Sequence, residues 1–136
     1  RAQKLSPFHQ MCECVRTMPK ATIVKMAGRA GGGGNEFAAS CDMRFGVQGK
    51  TIINQMEVPL GILPGGSGTQ RLPRLVGRGR AMEICLAGDD IDAETCERWG
   101  YLNRIFDCAE SMSDHVDALA RRIAGWPSEA IALCKA

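Results

Sequence analysis

The chain has 136 residues, of which 45% are hydrophobic and 24% charged, a balance that supports one compact core and hence a single domain over residues 1–136. Seventeen basic and fifteen acidic residues leave a net charge of +2, with no block of like charge that would suit nucleic acid or a membrane surface, so a small molecule or another protein is the expected partner. The apolar runs are broken by charge well short of the ~20 residues of a membrane span, and no signal-peptide pattern opens the chain, which starts on Arg1 and stops inside a helical pattern as a piece of a longer domain would.

In chain order, Ser6-Pro7 has the chemistry of a helix start, and Phe8, Met11, Val15 and Met18 then share one face until Pro19 ends it. Residues 21–27, an apolar run centred on Ile23 and Val24, predict a buried strand. The glycine-rich turn 28–34 follows, then a small-residue helix over 35–42, and short strands over 43–47 and 51–53 separated by Gly49. A loop carries Glu57 into a second glycine-rich turn, 61–68. Helices are predicted over 69–76 (interrupted by Pro73), 80–87 and 92–99, the last with an Asp cap, and each ends at a glycine. A strand over 102–106 precedes an amphipathic helix over 111–124, with Met112, Val116, Leu119 and Ile123 on one side, and Ser128 caps a final helix. The alternation of strands and helices makes this one α/β unit.

Seven cysteines with only Cys12-x-Cys14 in tight spacing, and two histidines outside any cysteine cluster, give no zinc pattern. No metal is expected, and the cysteines fit reduced packing in a cytoplasmic compartment, or a mitochondrial matrix in a eukaryote. Gly31, Gly32, Gly33 and Gly34, between a strand and a helix, put bare backbone amides at a helix N-terminus, where an anion or a developing oxyanion is favoured; a close-packed turn without ligand is the plainer alternative. They complete neither a P-loop nor a G-x-G-x-x-G. Glu36, in the first helical turn beyond, is either a dipole partner or an acid in a partly dry pocket made by its small, apolar flanks. Glu57 is either a solvated loop acid or the second half of an acid/base couple with Glu36. Ser67 lacks the glycine spacing of a nucleophile elbow. Arg71, Arg74, Arg78 and Arg80 suit the solvated faces of short helices as well as they suit phosphate contacts.

The blocks Ala27-Gly28-Arg29-Ala30-Gly31-Gly32-Gly33-Gly34-Asn35-Glu36-Phe37 and Glu57-Val58-Pro59-Leu60-Gly61-Ile62-Leu63-Pro64-Gly65-Gly66-Ser67-Gly68-Thr69 resemble the two signatures of the enoyl-CoA hydratase/isomerase (crotonase) superfamily, and the likeness runs on to Arg104. The resemblance implies a ClpP/crotonase-like spiral of ββα units, incomplete here and followed by C-terminal helices. It implies an acyl-CoA thioester as substrate, with coenzyme A part of that substrate and no separate cofactor. By position Gly33 supplies one oxyanion amide, flanked by Gly31, Gly32 and Gly34 as substrate-binding residues. Glu36 and Glu57 are the pair that adds water across the 2,3 double bond, and Gly65 helps to hold that water. Family members that lack the second acid more often shift a double bond, so Glu57 favours a hydratase over an isomerase using Glu36 alone; a non-catalytic assembly module on the same fold is the third possibility. The resemblance also implies a homo-oligomer, a trimer or hexamer. Arg29 and Gly31 depart from the usual aromatic or aliphatic residues, and one extra residue stands between Asp42 and Glu57. The family's N-terminal units, with the second oxyanion amide and much of the adenine-nucleotide pocket, lie outside this sequence.

Overall fold

A computed structural model describes residues 5–136. Helix α1 (Pro7–Thr17) starts where Ser6 accepts the His9 amide at 3.2 Å, with Pro7 as its first residue. Its inner line runs through Phe8 and Cys12 rather than through Met11 as the sequence pattern suggested: Cys12 is fully buried and Met11 is exposed. The thiol packs as a small apolar group and claims the face.

Strand β1 (Ile23–Met26) is shorter than predicted. Strand β2 (Arg29–Gly31) occupies what the sequence presents as a turn. Glycine has poor strand propensity, but parallel pairing with β4 (Ile52–Asn54) in the register Arg29↔Ile52 to Gly31↔Asn54 overrides it. Helix α2 (Gly33–Ser40) then leads to β3 (Met43–Val47). Each pair of strands is split between two sheets: β1 and β3 lie beside β6 (Arg104–Phe106) in one, and β2 and β4 beside β5 (Ile91–Asp92) in the other. All pairings are parallel except β4 with β5. Strand, strand, helix is thus the repeating unit.

Past a 3₁₀ turn (Val58–Leu60), α3 (Gly68–Val76) runs unbroken through Pro73, and α4 (Arg78–Ala87) begins two residues earlier than the sequence suggested. Asp92 caps α5 (Ala93–Arg98) by accepting the Thr95 amide at 2.8 Å. Helix α6 (Ala109–Ala124) is capped by the Cys108 thiol and buries Met112 and Val116 against Phe45 and Val47. In α7 (Ser128–Lys135) the cap position is Pro127, and Ser128 is the first helical residue. The main core gathers Met26, Ile53, Leu72, Ile84, Tyr101 and Leu102 between the sheets and helices α2 to α5. It underlies the β2–α2 junction and the end of β4.

Candidate active site

Because β2 and β4 pair with Gly31 opposite Asn54, the segments leaving them, 32–36 and 55–57, run side by side. A Cβ on Gly31 would lie 2.7 Å from Asn54 Oδ1, so a larger residue there would have to displace the Asn54 side chain. Gly32, at φ +53°, turns the chain into α2, and its amide donates to the Asn54 carbonyl at 3.0 Å. Gly33 and Gly34 open the helix; their amides have no intrahelical partner and meet no acceptor among the described residues. The Phe8 ring covers Gly33, its Cζ 3.2 Å from where a Cβ would stand.

Glu36 is 3% exposed. Its Oε1 accepts the Gly68 amide at 2.8 Å, and the Gly66 amide also faces the carboxylate. Burial pushes the carboxyl above its ordinary range; the Gly68 bond opposes this, the Glu57 charge adds to it, and Gly66 and His9 weaken it. Glu57 is 9% exposed, and a Cβ on Gly32 would lie 3.1 Å from its Oε1. The buried Cys85 thiol of α4 is raised first by burial and then by the charges of Glu57 and Glu36. Glu36 and Glu57 are thus both buried on the adjoining segments that leave β2 and β4, with Glu57 Oε1 against Gly32 and its charge felt at Glu36. Gly65 is solvent-exposed, and it is Gly66 and Gly68 whose amides meet Glu36.

Glu57 is oriented from behind by buried amides. Tyr101 Oη donates to Asn35 Oδ1, Asn35 Nδ2 donates to Gln55 Oε1 at 2.6 Å, and Gln55 Nε2 donates to Glu57 Oε2 at 3.0 Å. Tyr101 lies under the buried Arg44 guanidinium, which donates to the carbonyls of Tyr101, Cys41 and Ala38. Each donor and acceptor is fixed by the next, so the Glu57 carboxylate has one preferred pose. Asn35 and Gln55 were not singled out in the sequence, because a polar residue earns a role only once its partners are known to be buried with it.

Of the basic run, Arg71 is buried in pairing with Ser67 and Glu13 and is not left free for a phosphate, while Arg80 is exposed and stacks over Trp99. Among the described residues no three of His, Cys, Asp and Glu converge as a metal site, and no helix is long and apolar enough to cross a membrane.

A strand-strand-helix repeat with two buried carboxylates near a glycine-rich helix N-terminus is the class of architecture seen here, and comparison with known proteins gives it its family. Residues 2–136 match the family described as enoyl-CoA hydratase/isomerase, and the chain belongs to it. It is 39% identical over 122 residues to a crotonyl-CoA hydratase of Syntrophomonas wolfei, covering 90% of this chain and 46% of that protein. It is 37% identical over 101 residues to an enoyl-CoA isomerase/hydratase of Mycosarcoma maydis, covering 74% and 37%. The crystal structure of an enoyl-CoA hydratase from Bacillus anthracis superposes with a TM-score of 0.89 at 32% identity, over 94% of this chain and 49% of that one. The fold is that of the crotonases, and the chain spans about half the length of the relatives it matches.

Proposed function

We propose that this chain carries the acid/base half of a CoA-thioester lyase that adds water to a 2-enoyl-CoA. The observation that carries the proposal is the burial of both Glu36 and Glu57 on adjoining segments, with Glu57 Oε1 against Gly32 at the start of the helix whose Gly33 amide has no acceptor among the described residues. Burial, with the neighbouring Glu57 charge, raises the proton affinity of Glu36, so Glu36 holds a proton more readily than an exposed glutamate does. The ionised member takes a proton from water as its oxygen bonds to C3. The protonated member delivers a proton to C2. Between these events the thioester oxygen bears enolate charge, and Gly33 N–H is the donor assigned to it in this reading. The second amide of such an oxyanion hole belongs to a segment outside this sequence, so the reaction is proposed for the whole protein.

The test is Glu57→Gln in the intact protein with crotonyl-CoA. Hydration should fall by roughly 10² or more, the scale of a lost general acid or base, while exchange of the substrate's α-proton persists through Glu36. Unchanged hydration removes Glu57 from the mechanism. An isomerase using Glu36 alone is the second reading, favoured by the name of the Mycosarcoma maydis relative, and a double-bond shift that survives Glu57→Gln would establish it.

We also infer a homo-oligomer, a trimer or a pair of trimers, acting in a cytoplasmic or matrix compartment on acyl-CoA without a separate cofactor. Supporting assembly, Leu60, Ile62 and Leu63 of the loop after Glu57 stand 61–69% exposed. Light scattering on the intact protein decides it.

A further inference from the structure

Ser67 lies between the two glycines whose amides face Glu36, and it is the one non-glycine residue among the described residues with positive φ, at +93°. That conformation is disfavoured for any residue with a Cβ and needs a local restraint. The restraint is visible. Arg71 Nε donates to Ser67 Oγ at 2.5 Å, and its other arm pairs with the Glu13 carboxylate of α1. Glu13 is held in turn by Arg16 at 2.8 Å. Arg71 is 8% exposed, so its guanidinium is a fixed part of the wall.

We propose that Arg71 is a positioning residue for Glu36: by gripping the Ser67 hydroxyl, with Glu13 as its anchor, it holds the left-handed turn that points the Gly68 and Gly66 amides at the carboxylate. The inference rests on the acid/base role proposed for Glu36. It gives α1 a task at the active site, because Glu13 on that helix fixes the arginine, and it turns the Gly66-Ser67-Gly68 sequence from a failed nucleophile motif into a shaped amide cradle. The groups that face Glu36 are Glu57 from the loop after β4, His9 from α1, Cys85 from α4 and the two amides from the turn. Of these the amides stabilise the ionised carboxylate directly, so loosening the turn moves the Glu36 titration to higher pH.

The experiment compares two serine variants in the intact protein. Ser67→Ala removes the hydroxyl and keeps the Cβ, so the turn loses its grip; kcat for crotonyl-CoA should fall roughly ten- to a hundredfold, the scale of a misplaced catalytic group, with KM within about twofold. Ser67→Gly removes the hydroxyl and the strain together, since glycine adopts this φ freely, and should lie closer to wild type. Arg71→Gln should match Ser67→Ala and add nothing in the Ser67→Gly background. A difference infrared titration of the carboxyl stretch, with Glu36→Gln as the blank, should show the Glu36 midpoint rising in Ser67→Ala. Equal rates for Ser67→Ala and Ser67→Gly, or an unmoved titration, overturn the inference. Full hydration activity in Glu36→Gln would instead remove the proposed function itself, whatever Arg71 does.

Discussion

Gly66→Ala is the sharpest perturbation of this site. Gly66 has no positive φ, so an added methyl costs nothing in backbone strain and acts through contacts alone. Built on the existing backbone, that methyl overlaps the Phe8 ring, with Cδ1 at 2.8 Å, and lies 2.7 Å from Glu36 Oε2. Phe8 is half-buried and can swing outward on α1, whereas Glu36 is enclosed and has no such room. Overpacking of this kind costs about 1–3 kcal/mol, and displacement of a catalytic carboxyl by even a fraction of its length costs on the order of 10²-fold in rate. Urea unfolding of the intact protein should show the first loss, and hydration of crotonyl-CoA the second. Adding Phe8→Leu frees the ring side of the clash but leaves the methyl against Oε2, so stability should recover in part while the rate does not. A Gly66→Ala protein with native stability and native rate would refute the packing of Phe8, Gly66 and Glu36 described here.

Asn35→Leu breaks the amide chain behind Glu57, leaving Gln55 Oε1 without its donor and Tyr101 Oη with only the long bond to the residue-35 carbonyl; a loss of about 1–3 kcal/mol for an unsatisfied buried group is expected in denaturant titration, together with a lower kcat. Glu36→Gln should stabilise the protein at pH 8. The folded carboxyl titrates above its ordinary 4.5, so wild-type stability is full below that value and is lost as pH rises through the folded midpoint, and the advantage of the variant should vanish in acid. Thermal unfolding of both proteins across pH 4 to 8 measures it. In the native state Cys14 and Cys134, both exposed, should react with a thiol reagent, whereas Cys96, buried and pushed up to about 12 by burial and the nearby acids, should react only on unfolding.

Much of this site is legible in the sequence, and the exceptions have physical causes. Glu36 stands among small residues, and the dryness that those flanks imply is the burial that raises its carboxyl. Strand β3 has its predicted bounds because Met43, Phe45 and Val47 alternate along it toward one apolar cluster and turn residues follow it. Strand β2 is hidden, since Arg29-Ala30-Gly31 has no strand character of its own and is strand only because Ile52–Asn54 lies beside it. Gly68 as a donor to Glu36 is equally hidden, because its direction depends on the left-handed Ser67, and that depends on an arginine one helical turn away. Local propensity and motif spacing encode what a segment does alone. Register and burial partners encode the rest.

The closeness of the two acids follows from one such register. Glu36 lies five residues beyond Gly31 along the chain and Glu57 three beyond Asn54, and the pairing of Gly31 with Asn54 sets the two departures level. A slip of one residue would reverse every side chain of β4, moving Ile53 from the core to the opposite face. The core thus locks the register that aligns the acids, and the glycine pair at the crossing leaves room for the side chains that face it, Asn54 Oδ1 against Gly31 and Glu57 Oε1 against Gly32. The acid pair is therefore a consequence of sheet packing first and of loop sequence second.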